Sequence, residues 1–183
     1  IDIRWLLKYS MIKRIIFLSF RYEFGNSVNG NSINYKAWYE NFLLLGYDVN
    51  PIFYDDYSKE ELQVKLIKKA KLIRPDMIFC IMQKDQIERK TLVELKSLDN
   101  FLVNFFGDDQ WRFDNFSTHY ANYFDVCITT DKYSIDKYKA IGQNRIIYSQ
   151  WGSLHSNVKY RDVKYKYDVS FIGGISPYRK WFI

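Results

Sequence analysis

The residues with the clearest chemical potential stand side by side. Asp108 and Asp109 follow directly on the apolar run Asn104-Phe105-Phe106 and a glycine, Gly107. A carboxylate there can take a proton from a hydroxyl, and two adjacent carboxylates can hold a divalent cation against phosphates. Position supports a site, because ligands of open α/β sheets bind in the crevice beyond the carboxyl ends of the strands. A plainer role competes: an Asp after a strand is also a common cap for the next helix. Two further acid–base candidates are Glu23, in a loop after an apolar run, and His119, in an aromatic segment. Histidine suits general-base work near neutral pH, whereas a lone His in an aromatic loop is more often a packing or surface residue. Trp111 and Trp151 are candidates to stack on a sugar, with burial at a domain junction as the competing role.

The elements that must position these groups follow from the apolar pattern. Ile15 to Phe20 is a continuous apolar run, the mark of a central strand buried on both faces. The loop Arg21–Asn31 holds Gly25, Asn26 and Gly30, and such a first turn can bring backbone N–H groups against an anion. It lacks the G-x-G-x-x-G spacing, which disfavours a dinucleotide dehydrogenase. A helix from Ser32 carries Tyr35, Trp38, Tyr39, Phe42 and Leu43 and stops at Gly46. Asp48 to Tyr54 reads as a strand with Pro51 at a bulge or an edge. Ser58 and Glu61 form a capping-box pattern before Leu62, Leu66, Ile67 and Ala70. A third strand spans Asp76 to Met82, and Asp85 with Glu88 is expected to cap the helix bearing Ile87, Leu92, Leu95 and Leu98. The fourth strand, Phe101 to Phe106, carries the Gly107 turn, and the aromatic stretch Trp111 to Phe124 reads as a loop with a short helix. Asp125 to Thr130 is a fifth strand, Asp131 caps a helix closed by Gly142, and Arg145 to Gln150 is a sixth. The alternation implies an α/β fold with a doubly wound, mainly parallel, Rossmann-like sheet.

Residues 1–150 are expected to form that domain, with Met11 reading as its natural opening. Residues 151–166, with Lys159, Arg161, Lys164 and Lys166, read as a linker. Residues 167–183 restart the strand, glycine-turn and helix order and read as the beginning of a second domain of the same kind, cut off. Hydrophobic residues at 48% and charged residues at 26% are globular proportions. No stretch is long and apolar enough for a transmembrane helix and no secretion signal is recognisable, so the cytoplasm is the expected compartment. The net charge of +6 suggests attraction to a nucleotide, a phosphorylated lipid or an anionic membrane surface. No nucleic-acid recognition motif accompanies it, so nucleic acid is not an expected partner. Cys80 and Cys127 lie inside strands, without metal-ligand spacing. The 19% aromatic content goes with abundant Ile, Lys and Asn and is not by itself a sign of stacking.

Four pieces in order, Phe106-Gly-Asp-Asp109, Phe124-Asp-Val-Cys-Ile-Thr-Thr-Asp131, Gln150-Trp-Gly152 and Tyr167-Asp-Val-Ser-Phe-Ile-Gly173 with Arg179, resemble the CgeB-like, spore-maturation-type glycosyltransferases. The likeness runs from the fourth strand to the chain end. It implies a two-domain GT-B architecture in which the first domain mainly holds the acceptor and the second the nucleotide sugar. This chain would be the acceptor-side half, incomplete as a catalyst alone, acting on a saccharide, lipid or protein acceptor. Asp108 or Asp109 would be the base, the Glu23 to Gly30 loop with Gly25 and Asn26 would face the donor phosphates, and Gly173, Gly174 and Arg179 would resemble a phosphate-binding position. No metal and no tightly bound cofactor is expected, the nucleotide sugar being a substrate. Two other readings stand beside it: a metal-dependent GT-A enzyme using both aspartates on a divalent ion, and a non-catalytic carbohydrate or surface interaction module.

Overall fold

The computed structural model describes residues 12–151, 164, 166–171, 173 and 177–182. Runs of apolar residues without polar alternation fit strands covered on both faces, and they supply the centre of the sheet. β1 (Arg14–Ser19) buries Ile15 to Leu18 completely. A helix then opens as a π turn over Tyr35–Tyr39 and continues as α1 (Glu40–Leu44). β2 (Asp48–Phe53), α2 (Lys59–Ile73), β3 (Met77–Cys80), α3 (Arg89–Ser97) and β4 (Leu102–Phe106) follow in strict alternation. α4 (Asp109–Arg112), β5 (Val126–Thr129), α5 (Ser134–Ala140) and β6 (Ile146–Tyr148) complete it.

All six strands pair in parallel in the order β2-β1-β3-β4-β5-β6. The chain steps from β1 out to β2 and then returns to β3, so the strand order reverses between β1 and β3. One sheet face carries Leu18, Ile78 and Leu102 against Leu62 and Leu66 of α2, Leu92 and Leu95 of α3 and Tyr138 of α5. The other carries Phe17, Phe79 and Phe105 against Tyr35, Trp38 and Phe42, with Trp38 4.8 Å from Phe79 and 5.1 Å from Phe105 between ring centroids. The chain is therefore α/β, a Rossmann-like parallel sheet flanked by helices.

Local signals explain the boundaries. Ser58 Oγ accepts from the Glu61 N–H at 3.2 Å, and Glu61 Oε2 accepts from the Ser58 N–H at 2.9 Å, a reciprocal cap at the head of α2. Pro51 sits in the edge strand β2, where its missing N–H leaves no ladder bond unmade on the open side. Asp85 and Glu88, expected as caps of α3, do something else. Asp85 pairs with Lys59, and Glu88 pairs with Lys90 at 2.7 Å and makes no side-chain cap bond.

The chain divides into two compact units, Ile1–Ser153 and Leu154–Ile183. In the second, α6 (Pro177–Phe182) is helical, but 166–171 forms no strand, against the expectation from Tyr167 onward. The reason is physical: a strand exists through its ladder partners, and Tyr167, Val169 and Phe171 are exposed. Residues 1–11, most of the expected linker (152–163 and 165), Ile172 and Gly174 lie outside the described residues. No helix among the described residues is long and apolar enough to cross a membrane.

Candidate functional site

In an all-parallel sheet every strand ends on the same edge, so the loops after β1 to β6 share one rim. The β4 turn is its centre, and it treats the two aspartates in opposite ways. Asp109 is 1% exposed. Its Oδ1 accepts from Ser117 Oγ at 2.5 Å, and its Oδ2 accepts from Thr129 Oγ1 at 2.6 Å and from the Tyr138 hydroxyl at 2.8 Å. It thus ties together the β4 turn, the segment after α4, the end of β5 and α5. Burial pushes its carboxyl above the ordinary Asp range, opposed by the three hydroxyl donors. Burial and the neighbouring Asp109 charge push the Tyr138 phenol up in turn.

Asp108 is exposed and its carboxylate accepts no hydrogen bond among the described residues, while its carbonyl accepts from the Trp111 and Arg112 N–H groups. Neither aspartate caps α4 through its side chain. The capping reading therefore fails for both: Asp109 is shielded and engaged by hydroxyls, whereas the Asp108 carboxylate is open to solvent. Both Asp109 oxygens already accept hydrogen bonds from neighbouring hydroxyls. Among the described residues no group of three or more His, Cys, Asp or Glu converges on a metal position.

Gly107 is required by a close approach. A Cβ built there would lie 2.6 Å from Trp151 Cζ2 and 3.2 Å from Phe105 Cε1. The Trp151 indole meets the Phe105 ring edge to face at 4.9 Å. Thr130 Oγ1 donates to the Gly107 carbonyl at 2.7 Å, and Gln150 Nε2 donates to the Thr130 carbonyl at 2.7 Å, which braces the turn from β5 and β6. Substituting Gly107→Ala is expected to displace the indole, red-shift the tryptophan emission and cost about 1–3 kcal/mol, the usual penalty of overpacking. An unchanged spectrum together with unchanged denaturant stability would show that Trp151 does not rest on this glycine.

The loop after β1 is closed on itself. Asp55 Oδ2 accepts from the N–H groups of Arg21 (2.6 Å) and Tyr22 (3.0 Å). The Glu23 N–H donates to the Gly30 carbonyl, that of Gly25 to Tyr22, that of Asn26 to Glu23 and that of Gly30 to Ser27. Asn26 Oδ1 accepts from the Val28 N–H. The N–H groups of Gly25 and Asn26 are thus engaged within the turn, whereas those of Phe24 and Ser27 have no partner among the described residues. Glu23 Oε2 accepts from the Ile33 N–H at 3.1 Å and holds the start of the following helical segment, a structural task. Phe24 is held in the left-handed region at φ 53° with its ring exposed, a conformation uncommon outside glycine.

His119 lies exposed in a short 3-10 turn, Ser117–His119, and its imidazole has no partner among the described residues to orient it as a base. Arg112 lies over the Phe116 ring at 4.4 Å and donates to the Gln83 carbonyl, so it ties the β4 segment to the exit of β3. In the second unit, Gly173 gives room to Phe171 and Arg179: a Cβ there would lie 2.8 Å from Phe171 Cζ and 3.3 Å from Arg179 Nη1. The Arg179 guanidinium stands 5.7 Å from the Phe171 ring centre.

Charge is unevenly placed. In the rim loops Glu23, Asp55, Asp56, Asp85, Asp108 and Asp131 outnumber Arg21, Lys84 and Lys132, although the chain as a whole carries +6. Arg21 is itself paired with Asp56 at 3.2 Å. Positive charge gathers along α2 instead, where Lys65, Lys68 and Lys69 line a surface groove of about 770 Å³ with Val64 and Leu72.

No protein-family model matches the chain, and no curated protein is significantly similar to it. The functional reading rests on the site.

Two features of the rim escape a linear reading. The hydroxyls that claim Asp109 come from positions 8, 20 and 29 residues away. The carboxylate that closes the first loop, Asp55, lies after β2. The Thr129-Thr130-Asp131 cluster at a strand end was the available signal, since two hydroxyls and a carboxylate there must point at a neighbouring turn or at solvent.

Proposed function

We propose that this chain is the acceptor-side half of a GT-B-type glycosyltransferase, with Asp108 as the base. The observation that carries the reading is the split of the aspartate pair. One carboxylate is buried and satisfied, and it fixes the turn. The other is presented without a partner on the ligand-binding rim of a parallel sheet, beside an indole seated on Gly107. The four short stretches that resemble CgeB-like glycosyltransferases are in keeping with the same reading.

In this account the acceptor hydroxyl attacks the anomeric carbon of the sugar nucleotide, its proton passes to Asp108, and the nucleoside diphosphate leaves with the bonding electrons of the broken C–O bond. Departure of a diphosphate calls for cationic or N–H groups around it. The rim loops of the first unit carry more carboxylates than cations, and the N–H groups of Gly25 and Asn26 are engaged within their own turn, which favours a second lobe for the donor phosphates.

Transfer from a panel of nucleotide sugars by the whole protein, followed as nucleoside diphosphate release, tests the activity. Calorimetry tests the side of the cleft: residues 1–183 are expected to bind sugar nucleotides with dissociation constants no tighter than about 1 mM, a free energy of roughly −4 kcal/mol. Binding tighter than about 1 μM, roughly −8 kcal/mol, would assign the donor to this half and contradict the proposal.

A further inference from the structure

Aromatic side chains are abundant here, with 14 Phe, 16 Tyr and 5 Trp, and many fill the two core layers. Within the first unit, the described aromatics that stand more than a third exposed are Phe24, Trp111, Tyr133, Tyr148 and Trp151, at 46% to 90%. Each lies at the carboxyl end of a strand. Phe24 follows β1, Trp111 follows β4, Tyr133 follows β5, Tyr148 ends β6 and Trp151 comes just after it. Exposed aliphatic residues of the helices, by contrast, include Leu44 and Leu45 at the end of α1. Composition alone would scatter exposed rings over the surface, and the fold places them on one rim.

The company they keep identifies the ligand class. An apolar ring face beside a carboxylate matches a sugar unit, which offers a C–H face for stacking and hydroxyl donors around its edge. The excess of carboxylates in the rim loops opposes polyanions and phosphates at close range. Trp151 packs on Gly107, Asp108 comes next, and Trp111 stands in the first turn of α4. Neighbouring strands are ~4.8 Å apart, so the aromatic row from β1 to β6 extends over about 19 Å, longer than a single sugar ring.

We propose that this rim is a binding surface for an uncharged oligosaccharide, seated on Trp151 and Trp111, with Asp108 in the chain between Trp111 and the Gly107 on which Trp151 packs. Resting on the glycosyl-transfer reading, we further assign that oligosaccharide as the acceptor. The acceptor class is thereby narrowed from saccharide, lipid or protein to a neutral glycan of several units.

Cellohexaose, maltohexaose and chitohexaose are the probes, with glucose and polygalacturonate as comparisons, read by calorimetry and tryptophan emission on the whole protein. The expected result is binding of at least one neutral hexasaccharide, weaker binding of glucose, and no competition by polygalacturonate. Trp111→Ala and Trp151→Ala should each weaken the hexasaccharide about tenfold, the scale of one lost aromatic contact. Trp111 is 69% exposed, so its replacement disturbs no core and keeps the test valid if Trp151→Ala loosens the contact with Phe105. Failure of all three hexasaccharides to bind, equal binding by the Trp111 variant, or preference for polygalacturonate would overturn the inference. Incubation of the bound hexasaccharide with the nucleotide-sugar panel separates the two proposals. Binding without any transfer keeps the saccharide surface and removes the glycosyltransferase reading. Transfer to a lipid or protein without saccharide binding does the reverse.

Discussion

Replacing Asp109 with alanine is expected to destabilise the fold by about 3–5 kcal/mol, because buried groups left unpaired cost roughly 1–3 kcal/mol each. Ser117, Thr129 and Tyr138 would all lose their shared acceptor in positions where water does not reach. Against a typical net stability of about 5–15 kcal/mol this is a large fraction. Asp109→Asn should cost far less, since the amide oxygen still accepts on one side and the hydroxyls can turn to accept from its N–H groups. The comparison also carries a pH signature. The folded-state value of Asp109 is raised above the ordinary 3.8 because burial outweighs its hydrogen bonds. Its contribution is therefore fully present below that value and is lost as pH rises through the raised one. The wild-type advantage over Asp109→Asn, measured by urea unfolding, should shrink as pH increases from the ordinary Asp range toward neutrality. An advantage that grows with pH would mean that the ionised form is the favoured one and that burial does not dominate.

Asp108→Asn is expected to do the opposite: little change in stability and a loss of about a hundredfold or more in turnover, the usual scale of general-base catalysis. The side chain is exposed and unengaged, so the fold has nothing to lose. An amide cannot take the proton. The loss should appear in kcat with KM nearly unchanged, because Asp108 acts on the reacting hydroxyl and not on the bulk of the acceptor. The two aspartates, adjacent in the chain, thus separate cleanly by experiment: one variant folds poorly, the other folds and does not turn over.

The division between them was not legible in the sequence. Asp108 and Asp109 share a residue type and a strand end, and only the convergence of Ser117, Thr129 and Tyr138 from three other segments decides which is buried. Gly107 likewise looked like a turn glycine, while its reason lies in Trp151, far along the chain. The Gly- and Asn-rich loop after β1 had the composition of an anion nest, but Asp55 and the loop's own carbonyls engage the N–H groups of Arg21, Tyr22, Glu23, Gly25, Asn26 and Gly30. What could be read well was whatever depends on near neighbours or on burial from both sides. The apolar runs at Ile15 to Leu18 and at Ile78 to Cys80 mark central strands because a parallel strand covered on both faces has no room for polar alternation. The Ser58–Glu61 box fixed the head of α2, and Pro51 marked an edge. The stretch from Tyr167 shows a limit: its apolar run suits a strand, yet among the described residues no ladder partner accompanies 166–171, and no strand forms there. Exposed aromatics mislead in the other direction, since their number says little and their placement on one rim says much.

The most direct test of the account is nucleoside diphosphate release by the whole protein from a panel of nucleotide sugars, measured with and without a neutral hexasaccharide, for the wild type and for Asp108→Asn. The expected result is release that depends on the saccharide and falls about a hundredfold or more in the variant. Turnover in Asp108→Asn at the wild-type rate, or no release from any donor by the wild type, would contradict it.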